Sequence, residues 1–136
     1  MRFLCIDLGD KRTGIAICDG QEILASPLLV LEGCKNLYEE ILKIAKENQV
    51  DGFVFGLPLN MDGTEGDRAV MARKFAEQIK TKSSLPIFFQ DERLSTFSAG
   101  AKLAQTGLTH KKKKNKIDAI AAAEILKTFL DNRKKL

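Results

Sequence analysis

The sequence contains few of the side chains on which many catalytic and metal sites depend. Its 136 residues include one histidine, one tyrosine and three cysteines, none of them in a CxxC pair. Because the cysteine count is odd and Cys5 and Cys18 fall in predicted core strands, these residues indicate small buried side chains rather than a disulfide or a metal site. The single histidine, His110, adjoins a run of lysines, which favours a solvated or phosphate-facing side chain over a general base.

Long apolar runs are also absent. No segment approaches the roughly 18 consecutive apolar residues of a membrane-spanning helix. The N-terminal residues lack the charged start and apolar core of a signal peptide. We therefore expect a cytoplasmic protein with no membrane partner. A length of 136 residues with 44% hydrophobic content predicts one globular domain, residues 1–136, with a core of its own.

Positive charge is concentrated in two segments near the C-terminus. Eight of the 22 basic residues lie there: Lys111, Lys112, Lys113, Lys114, Lys116, Arg133, Lys134 and Lys135. The rest of the chain has 14 basic against 18 acidic residues, so it is mildly acidic although the whole chain carries a net charge of +4. Lysine runs are often only solvated, but two basic segments on a protein with a pI of about 9.0 favour a polyanionic partner.

The stretch from Phe3 to Asp19 predicts a β-hairpin. Two short apolar runs, at 3–6 and 15–18, flank a tight connection at Gly9–Gly14, so they are expected to pair as neighbouring buried strands. Asp7 stands at the end of the first strand. Burial of an unpaired charge is costly, so this carboxylate requires a partner, a cation or a metal.

Strand and helix patterns alternate after the hairpin. The predicted strands are 23–31, 50–57 and 86–90, and the predicted helices begin at Asn36, after residue 66, at Ser95 or Thr96, and near Asn115. Pro27 cannot donate to a central ladder, so the third strand is expected at an edge or with a bend. Asn36 and Glu39 form a capping-box pattern. Strand, helix and strand in succession imply a right-handed crossover with parallel pairing, and the sequence therefore predicts an α/β fold.

Two connecting segments stand out by composition. Residues 56–66 (GLPLNMDGTEG) are rich in glycine and long for a connection in a compact domain, which is typical of a functional loop and equally of a surface turn. Residues 107–116 (GLTHKKKKNK) consist mainly of like charges, which repel, so we expect a mobile loop. The last helix is then expected between Asn115 and Asn132.

Three acidic residues are placed where a site is expected. Asp7 ends the first strand, Glu92 follows the fifth, and Asp118 heads an otherwise apolar helix face. That face continues with Ala121, Ala122, Ile125 and Phe129. Because sites in open sheets form at the carboxyl ends of parallel strands, a last helix packed across that edge would bring the three acids together. Close carboxylates repel, so such a cluster needs a cation, and Mg²⁺ suits oxygen ligands. The alternative is that they are surface or capping acids.

Four segments, in order, resemble the YqgF/RuvX family, small bacterial proteins of the ribonuclease H-like superfamily. They are IDLGDKRTGIAICD (6–19), FGLPLNMDGTEG (55–66), DERLST (91–96) and KNKIDAIAAAEIL (114–126). Each motif is modest by itself, but all four occur in the family's order and spacing and span nearly the whole chain. The resemblance implies a ribonuclease H-like fold, in which a five-stranded mixed sheet of three antiparallel and two parallel strands is flanked by helices.

The resemblance also implies an acidic metal site. By position, Asp7, Glu92 and Asp118 correspond to the family's acidic residues, which are expected to be catalytic and to bind Mg²⁺, with Mn²⁺ as an alternative. Related resolvases carry another acid three residues after the last of these, where this chain has Ala121 and so has fewer ligands. The implied reaction is phosphodiester hydrolysis by two Mg²⁺ ions about 4 Å apart, one delivering hydroxide and the other stabilising the leaving oxygen.

Nucleic acid is the implied partner. Family members are described as nucleases that mature the 5′ end of pre-16S rRNA and as Holliday junction resolvases, and we expect the first activity here, with branched DNA as the alternative substrate. Lys11 and Arg12, in the turn beside Asp7, are placed to hold a phosphate. Arg93 adds charge, unless it forms a structural salt bridge. The lysine run would supply sequence-independent affinity. The chain is expected to be a monomer or a homodimer.

Two other functions fit parts of the sequence. The phosphate hairpin of actin-like and sugar-kinase proteins also reads acid, glycine, turn, glycine, as DLGDKRTG does here. Those proteins bind ATP between two duplicated domains, whereas this chain has one and has no Walker-type lysine after Gly14. The second alternative is a non-catalytic protein that binds structured RNA or a pre-ribosome. The sequence shows no aromatic stacking platform of the RNA-recognition type.

Overall fold

The computed structural model describes residues 1–33, 35–93 and 110–134, the last of these as backbone only up to residue 116. The elements in chain order are β1 (Phe3–Leu8), β2 (Arg12–Cys18), β3 (Ala25–Glu32), α1 (Leu37–Glu47), β4 (Gly52–Leu57), α2 (Asp67–Lys82), β5 (Ile87–Asp91) and α3 (His110–Lys134). The helix predicted from Ser95 or Thr96 and the third cysteine, Cys34, lie outside the described residues.

The strands form one five-stranded sheet in the order β3-β2-β1-β4-β5. β1 pairs antiparallel with β2, which pairs antiparallel with β3, while β4 is parallel to both β1 and β5. This confirms the predicted fold class. The central strands β1 and β4 come from the short, continuously apolar runs, as expected for strands covered on both faces.

β3 lies at the sheet edge, as Pro27 predicted. Its ladder with β2 pairs Ile15 with Leu29 but Ala16 with Pro27, so the register shifts by one residue at Leu28. An edge position and a bulge are the places where a strand tolerates a residue that has no N–H to donate.

Alternation along β1 divides the core between two helical layers. Leu4 and Ile6 pack with α1 and α2 residues on one face, whereas Phe3 and Cys5 pack with α3 residues on the other. Side chains two residues apart on a strand point to the same face. Asp7, two residues after Cys5, is therefore directed to the side of the sheet that α3 covers.

The start of α3 differs from the prediction. The helix spans His110–Lys134, so it already includes the five residues before the expected start near Asn115, while its far end agrees with the expected end near Asn132. The lysine run is therefore helical backbone, and the prediction of a loop through residue 116 is wrong. Lysine is a good helix former, and here it continues a helix that packing stabilises further along, so charge repulsion does not end it.

The predicted capping box at α1 is also wrong. Asn36 does occupy the N-cap position, but its backbone is left-handed (φ 62°) and its side chain makes no capping hydrogen bond. A capping side chain normally reaches the first-turn N–H groups from an extended backbone. The helix still buries the expected stripe: Leu37, Ile41, Ile44 and Ala45.

The described cysteines and helices bear on two further expectations from the sequence. Cys5 and Cys18 are buried free thiols, as predicted for small core side chains. None of the described helices is both long enough and apolar enough to span a membrane.

Candidate active site

Asp7 lies in the sheet between two glycines. Its cross-strand partner on β2 is Gly14. On the other side, Ile6 pairs with Phe55 of β4, and Gly56 is the next residue. Both glycines leave space on the α3 face of the sheet, where the carboxylate of Asp7 is directed. The residues beside Asp7 therefore leave room for groups from other parts of the chain.

Gly14 allows α3 to approach the sheet at Asp118. A Cβ at Gly14 would collide with the carbonyl oxygen and carbon of Asp118 and meet the backbone nitrogen of Ala119. Only glycine permits this close backbone contact. Because Gly14 is directly opposite Asp7, the same contact brings the start of the packed part of α3 next to the first acid.

Gly56 makes room for the side chain of Glu92. A Cβ at Gly56 would collide with the Oε2 atom of Glu92 and crowd Cδ1 of Ile125. That Oε2 atom is buried and has no hydrogen-bond partner among the described residues. A buried carboxylate oxygen without a donor is costly, which indicates a position suited to a cation or a proton.

Asp7 and Glu92 form a coupled, desolvated carboxyl pair. Burial, the negative charge of Asp7 and a hydrogen bond that the protonated Glu92 donates to Asp7 together raise the pKa of Glu92 to about 8. Burial also raises the pKa of Asp7, and the nearby charge of Asp118 adds to this rise, while the hydrogen bond from Glu92 opposes it. The pair thus retains a proton at neutral pH unless a cation replaces it.

Asp118 is held by an arginine of the hairpin. Nε of Arg12 donates to Oδ2 of Asp118 at 2.8 Å, and both side chains are 31% exposed. The structure therefore joins two residues for which the sequence predicted separate roles, phosphate binding for Arg12 and metal binding for Asp118. Asp118 lies close enough to Asp7 to influence its pKa, but its carboxylate is directed to Arg12.

A second arginine near the acids was not identified from the sequence. The positive charge of Arg68, the second residue of α2, lowers the pKa of both Asp7 and Glu92. Its side chain is exposed, and no ion pair to it occurs in the described part of the chain. The only sequence feature that could have indicated a role for Arg68 was its position at the start of the helix that follows the long loop 56–66.

Replacement of Arg68 by glutamine is expected to raise the pKa of Glu92 further, because a positive charge that lowers this pKa is lost. Carbon-13 NMR titration of the glutamate carboxyl groups measures this shift. Arg73→Gln is the matched control, since Arg73 lies on the same helix and pairs with Glu65 at 2.7 Å, away from the acids. If the pKa of Glu92 shifts equally in both variants, or shifts in neither, the assignment of Arg68 to the site is contradicted.

The family model described as RuvX: Holliday junction resolvase matches residues 1–132 of this chain. The chain belongs to the RuvX family. Relatives carrying the provisional name pre-16S rRNA nuclease include one from Syntrophomonas wolfei, 40% identical over 133 residues, which span 96% of this chain and 94% of the relative. Another, from Lactobacillus acidophilus, is 36% identical over an alignment of 141 positions, gaps included, that covers 99% of both chains.

Solved structures with the same fold as this RuvX-family chain include resolvases. T. thermophilus RuvC, in a complex with a Holliday junction substrate, matches with a TM-score of 0.62 and 13% identity over 98% of this chain and 96% of RuvC. The fowlpox virus Holliday junction resolvase matches with a TM-score of 0.59 and 12% identity, over 97% and 99% of the two chains. At these identities the likeness establishes the ribonuclease H-like fold only.

The carboxyl pair of the RuvX-family chain fits a divalent cation. Among the described residues, no three His, Cys, Asp or Glu side chains are grouped so as to hold a metal ion as they stand. The carboxylate of Asp118 is bound to Arg12. Asp7 and Glu92 nevertheless offer hard oxygen donors, both desolvated, and Oε2 of Glu92 accepts no hydrogen bond from any residue that the structure describes. This donor set matches the preference of Mg²⁺ for carboxylate oxygens.

Arg93 has a structural role in this site. It donates from Nε to Asp91 at 2.7 Å and from Nη1 to the carbonyl oxygen of Met61 at 3.3 Å. The salt bridge was one of the two roles considered for Arg93 from sequence. Through its hydrogen bond to Met61, Arg93 also connects the chain beside Glu92 to the tip of loop 56–66.

The loop itself is ordered by its own hydrogen bonds. Asn60 N donates to the Thr64 carbonyl at 2.8 Å, and Thr64 Oγ1 donates to Asp62 at 2.6 Å. Leu59 and Glu65 form an antiparallel bridge. Residues 59–65 are therefore a small hairpin at the end of β4, and Met61 at its tip is 78% exposed.

The predicted cationic residues lie in two places. Lys11 is an exposed residue of the β1–β2 turn and its side chain makes no ion pair with any described group, so it remains available for an anion. Lys111, Lys112, Lys113, Lys114 and Lys116 belong to the first turns of α3, the helix that carries Asp118.

Proposed function

We propose that this protein is a metal-dependent endonuclease that hydrolyses phosphodiester bonds in pre-16S rRNA during ribosome biogenesis. The proposal rests mainly on one observation: the carboxyl groups of Asp7 and Glu92 are buried close to each other, and Oε2 of Glu92 has no hydrogen-bond partner among the described residues. Membership of the RuvX family and the name carried by its relatives support a nuclease acting on this RNA.

Asp7 and Glu92 would hold Mg²⁺, or Mn²⁺ in its place, and Asp118 would join them once released by Arg12. The bound metal supplies an activated water and a positive charge for the reacting phosphate. The protein's own contribution is to fix the positions of the carboxylates. Gly56 leaves space for Glu92, and Gly14 allows the backbone of α3 to pack closely against the sheet at Asp118. No histidine base is needed, which agrees with a single histidine at the first residue of α3.

Nucleic acid would be held by the basic residues around these acids. Lys11 lies in the turn that follows Asp7, and Arg68 lies close enough to lower the pKa of both acids. The lysines of the first turns of α3 would contact backbone phosphates. Such contacts are independent of sequence and weaken as counterions compete, so affinity should fall steeply with salt.

A direct comparison of substrates tests the proposal. A pre-16S rRNA fragment with its 5′ extension and a four-way DNA junction are each incubated with the protein in Mg²⁺ or in chelator. We expect RNA cleavage in Mg²⁺ only, and at least about 10³-fold less with Asp7→Asn, because a ligand of the catalytic ion is lost. Asp10→Asn, an exposed acid in the same turn, is the control that should cleave normally.

Two results would replace this function by another. Cleavage of the junction alone would favour a Holliday junction resolvase, the activity in the family's description. That activity requires two copies arranged symmetrically on a symmetric junction, so a homodimer rather than a monomer would then be expected. Tight RNA binding with no cleavage in any metal would favour a non-catalytic RNA-binding protein.

A further inference from the structure

The ion pair between Arg12 and Asp118 connects residues that are 106 positions apart in the chain. Arg12 is the first residue of β2, two residues before Gly14. Asp118 lies on α3 where its backbone rests on Gly14. Because this contact fixes the helix against the strand, the Asp118 carboxylate cannot change partners by a shift of the whole helix, and only the two side chains are free to rearrange.

Arg12 binds one oxygen of the carboxylate that Asp118 would offer to a cation. Its Nε lies 2.8 Å from Oδ2, a distance typical of a charge-assisted hydrogen bond. Both side chains are partly exposed, and ion pairs of this kind are worth about 1 kcal/mol or less. The pair is thus strong enough to influence binding and weak enough to be displaced.

We propose that Arg12 and a divalent cation compete for Asp118, and that a nucleic-acid phosphate resolves the competition by drawing Arg12 away. Arg12 is then a positioning residue that links nucleic-acid binding to completion of the acidic site. This inference rests on the proposed nuclease function, from which it takes the metal and the phosphate. The linkage is reciprocal: whatever releases Asp118 from Arg12 strengthens cation binding, and the cation releases Arg12 for phosphate.

The NMR signal of the Arg12 Nε–H group reports directly whether Arg12 is bound to Asp118. In nitrogen-15 NMR spectra of the full chain, the Arg12 resonance is assigned by its loss in Arg12→Gln. We expect Mg²⁺ to shift this resonance towards the position of a free guanidinium. Arg73 and Arg133 are internal controls, because their Nε atoms also donate to carboxylates, Glu65 and Glu22, each at 2.7 Å. Their signals should not move.

A short single-stranded RNA in the presence of chelator tests the second half of the competition without cleavage. We expect it to shift the Arg12 Nε resonance while leaving the Arg133 resonance in place. If the RNA binds and the Arg12 resonance stays where it was, phosphate does not draw Arg12 from Asp118 and the proposal is overturned.

Cation affinity provides an independent measurement. Calorimetric titration with Mn²⁺ should show about fivefold tighter binding to Arg12→Gln than to the wild type, the factor that corresponds to an exposed ion pair. Lys11→Gln is the matched control, since it removes the same charge from the neighbouring residue and should alter affinity less than twofold. In an Asp118→Asn background, Arg12→Gln should have no greater effect than Lys11→Gln.

The outcomes separate this inference from the proposed function. If Mn²⁺ and Mg²⁺ bind but neither the Arg12 signal nor the affinity of Arg12→Gln responds, competition for Asp118 is refuted and the metal-dependent nuclease stands. If neither ion binds the wild type at all, the metal-dependent function is refuted together with the inference.

Discussion

In the presence of a chelator, the Glu92→Gln variant is expected to be more stable than the wild type at a pH of about 8 and above, and in Mg²⁺ it is expected not to cleave. The pKa of Glu92 is raised in the folded protein from its ordinary 4.5 to about 8. A group whose pKa is raised by folding contributes full stability below its unfolded pKa and loses that contribution as pH rises through the folded value. The wild type therefore loses this contribution between these two pKa values, whereas the variant, which cannot ionise there, does not.

The expected gain is roughly 1–3 kcal/mol in the free energy of unfolding, the usual cost of a buried polar group left without a partner. Thermal unfolding of both proteins across this pH range measures it. Glu77→Gln, at an exposed position of α2, is the control that should not alter the pH dependence. A Glu92→Gln variant that is equally stabilised at pH values below 4.5 would refute the explanation by ionisation.

Mg²⁺ should reverse the order of stability. A ligand that binds only the folded state stabilises it, so the ion should raise the unfolding temperature of the wild type and leave that of Glu92→Gln almost unchanged. A site whose carboxylates destabilise the protein without the ion and bind the ion when it is present is expected at a catalytic centre rather than at a structural one.

Replacement of Gly14 by alanine is expected to destabilise the protein substantially and to reduce cleavage. The added Cβ would collide with the carbonyl group of Asp118, and neither β2 in the sheet nor the backbone of α3 can yield easily. Overpacking of this kind costs about 1–3 kcal/mol or more. The helix must move away from the sheet, and Asp118 moves with it, so both stability and the site are affected.

Urea unfolding and RNA cleavage measure the two effects of Gly14→Ala. The control is Gly20→Ala, because a Cβ at Gly20 meets nothing within 4 Å. The prediction is wrong if both variants unfold at the same urea concentration. A destabilised Gly14→Ala variant that cleaves at the wild-type rate would show that the approach of Asp118 has no part in catalysis.

The sequence was sufficient to predict the sheet and the positions of Asp7 and Glu92 at the ends of strands. The apolar runs that end in Asp7 and just before Glu92 carry their own strand signal, and strand ends determine where such residues lie. Pro27 likewise predicted an edge strand from its missing N–H. These features depend on local chemistry and on general rules of sheet topology, so no knowledge of distant partners was needed.

What the sequence could not supply were the partners of side chains far apart in the chain. The pairing of Arg12 with Asp118 and the field of Arg68 on both acids depend on how α2 and α3 pack, and no local pattern encodes that. The lysine run illustrates a second limit, since its charge favoured a loop while its helix propensity and the packed helix after it favoured a continuous α3. Asn36 shows a third: the right residue type at an N-cap does not ensure the backbone conformation that capping needs.

The order of the elements, with α3 after all five strands, has a consequence for biosynthesis. The sheet face formed by Phe3, Cys5, Ala16 and Val54 is covered by residues of α3. A nascent chain that has completed all five strands still exposes this apolar face and lacks Asp118. Because distant contacts form late in folding and domains mature as synthesis proceeds, the acidic site is assembled only after α3 has been made. Under the proposed function, the nuclease therefore cannot act before α3 has been made.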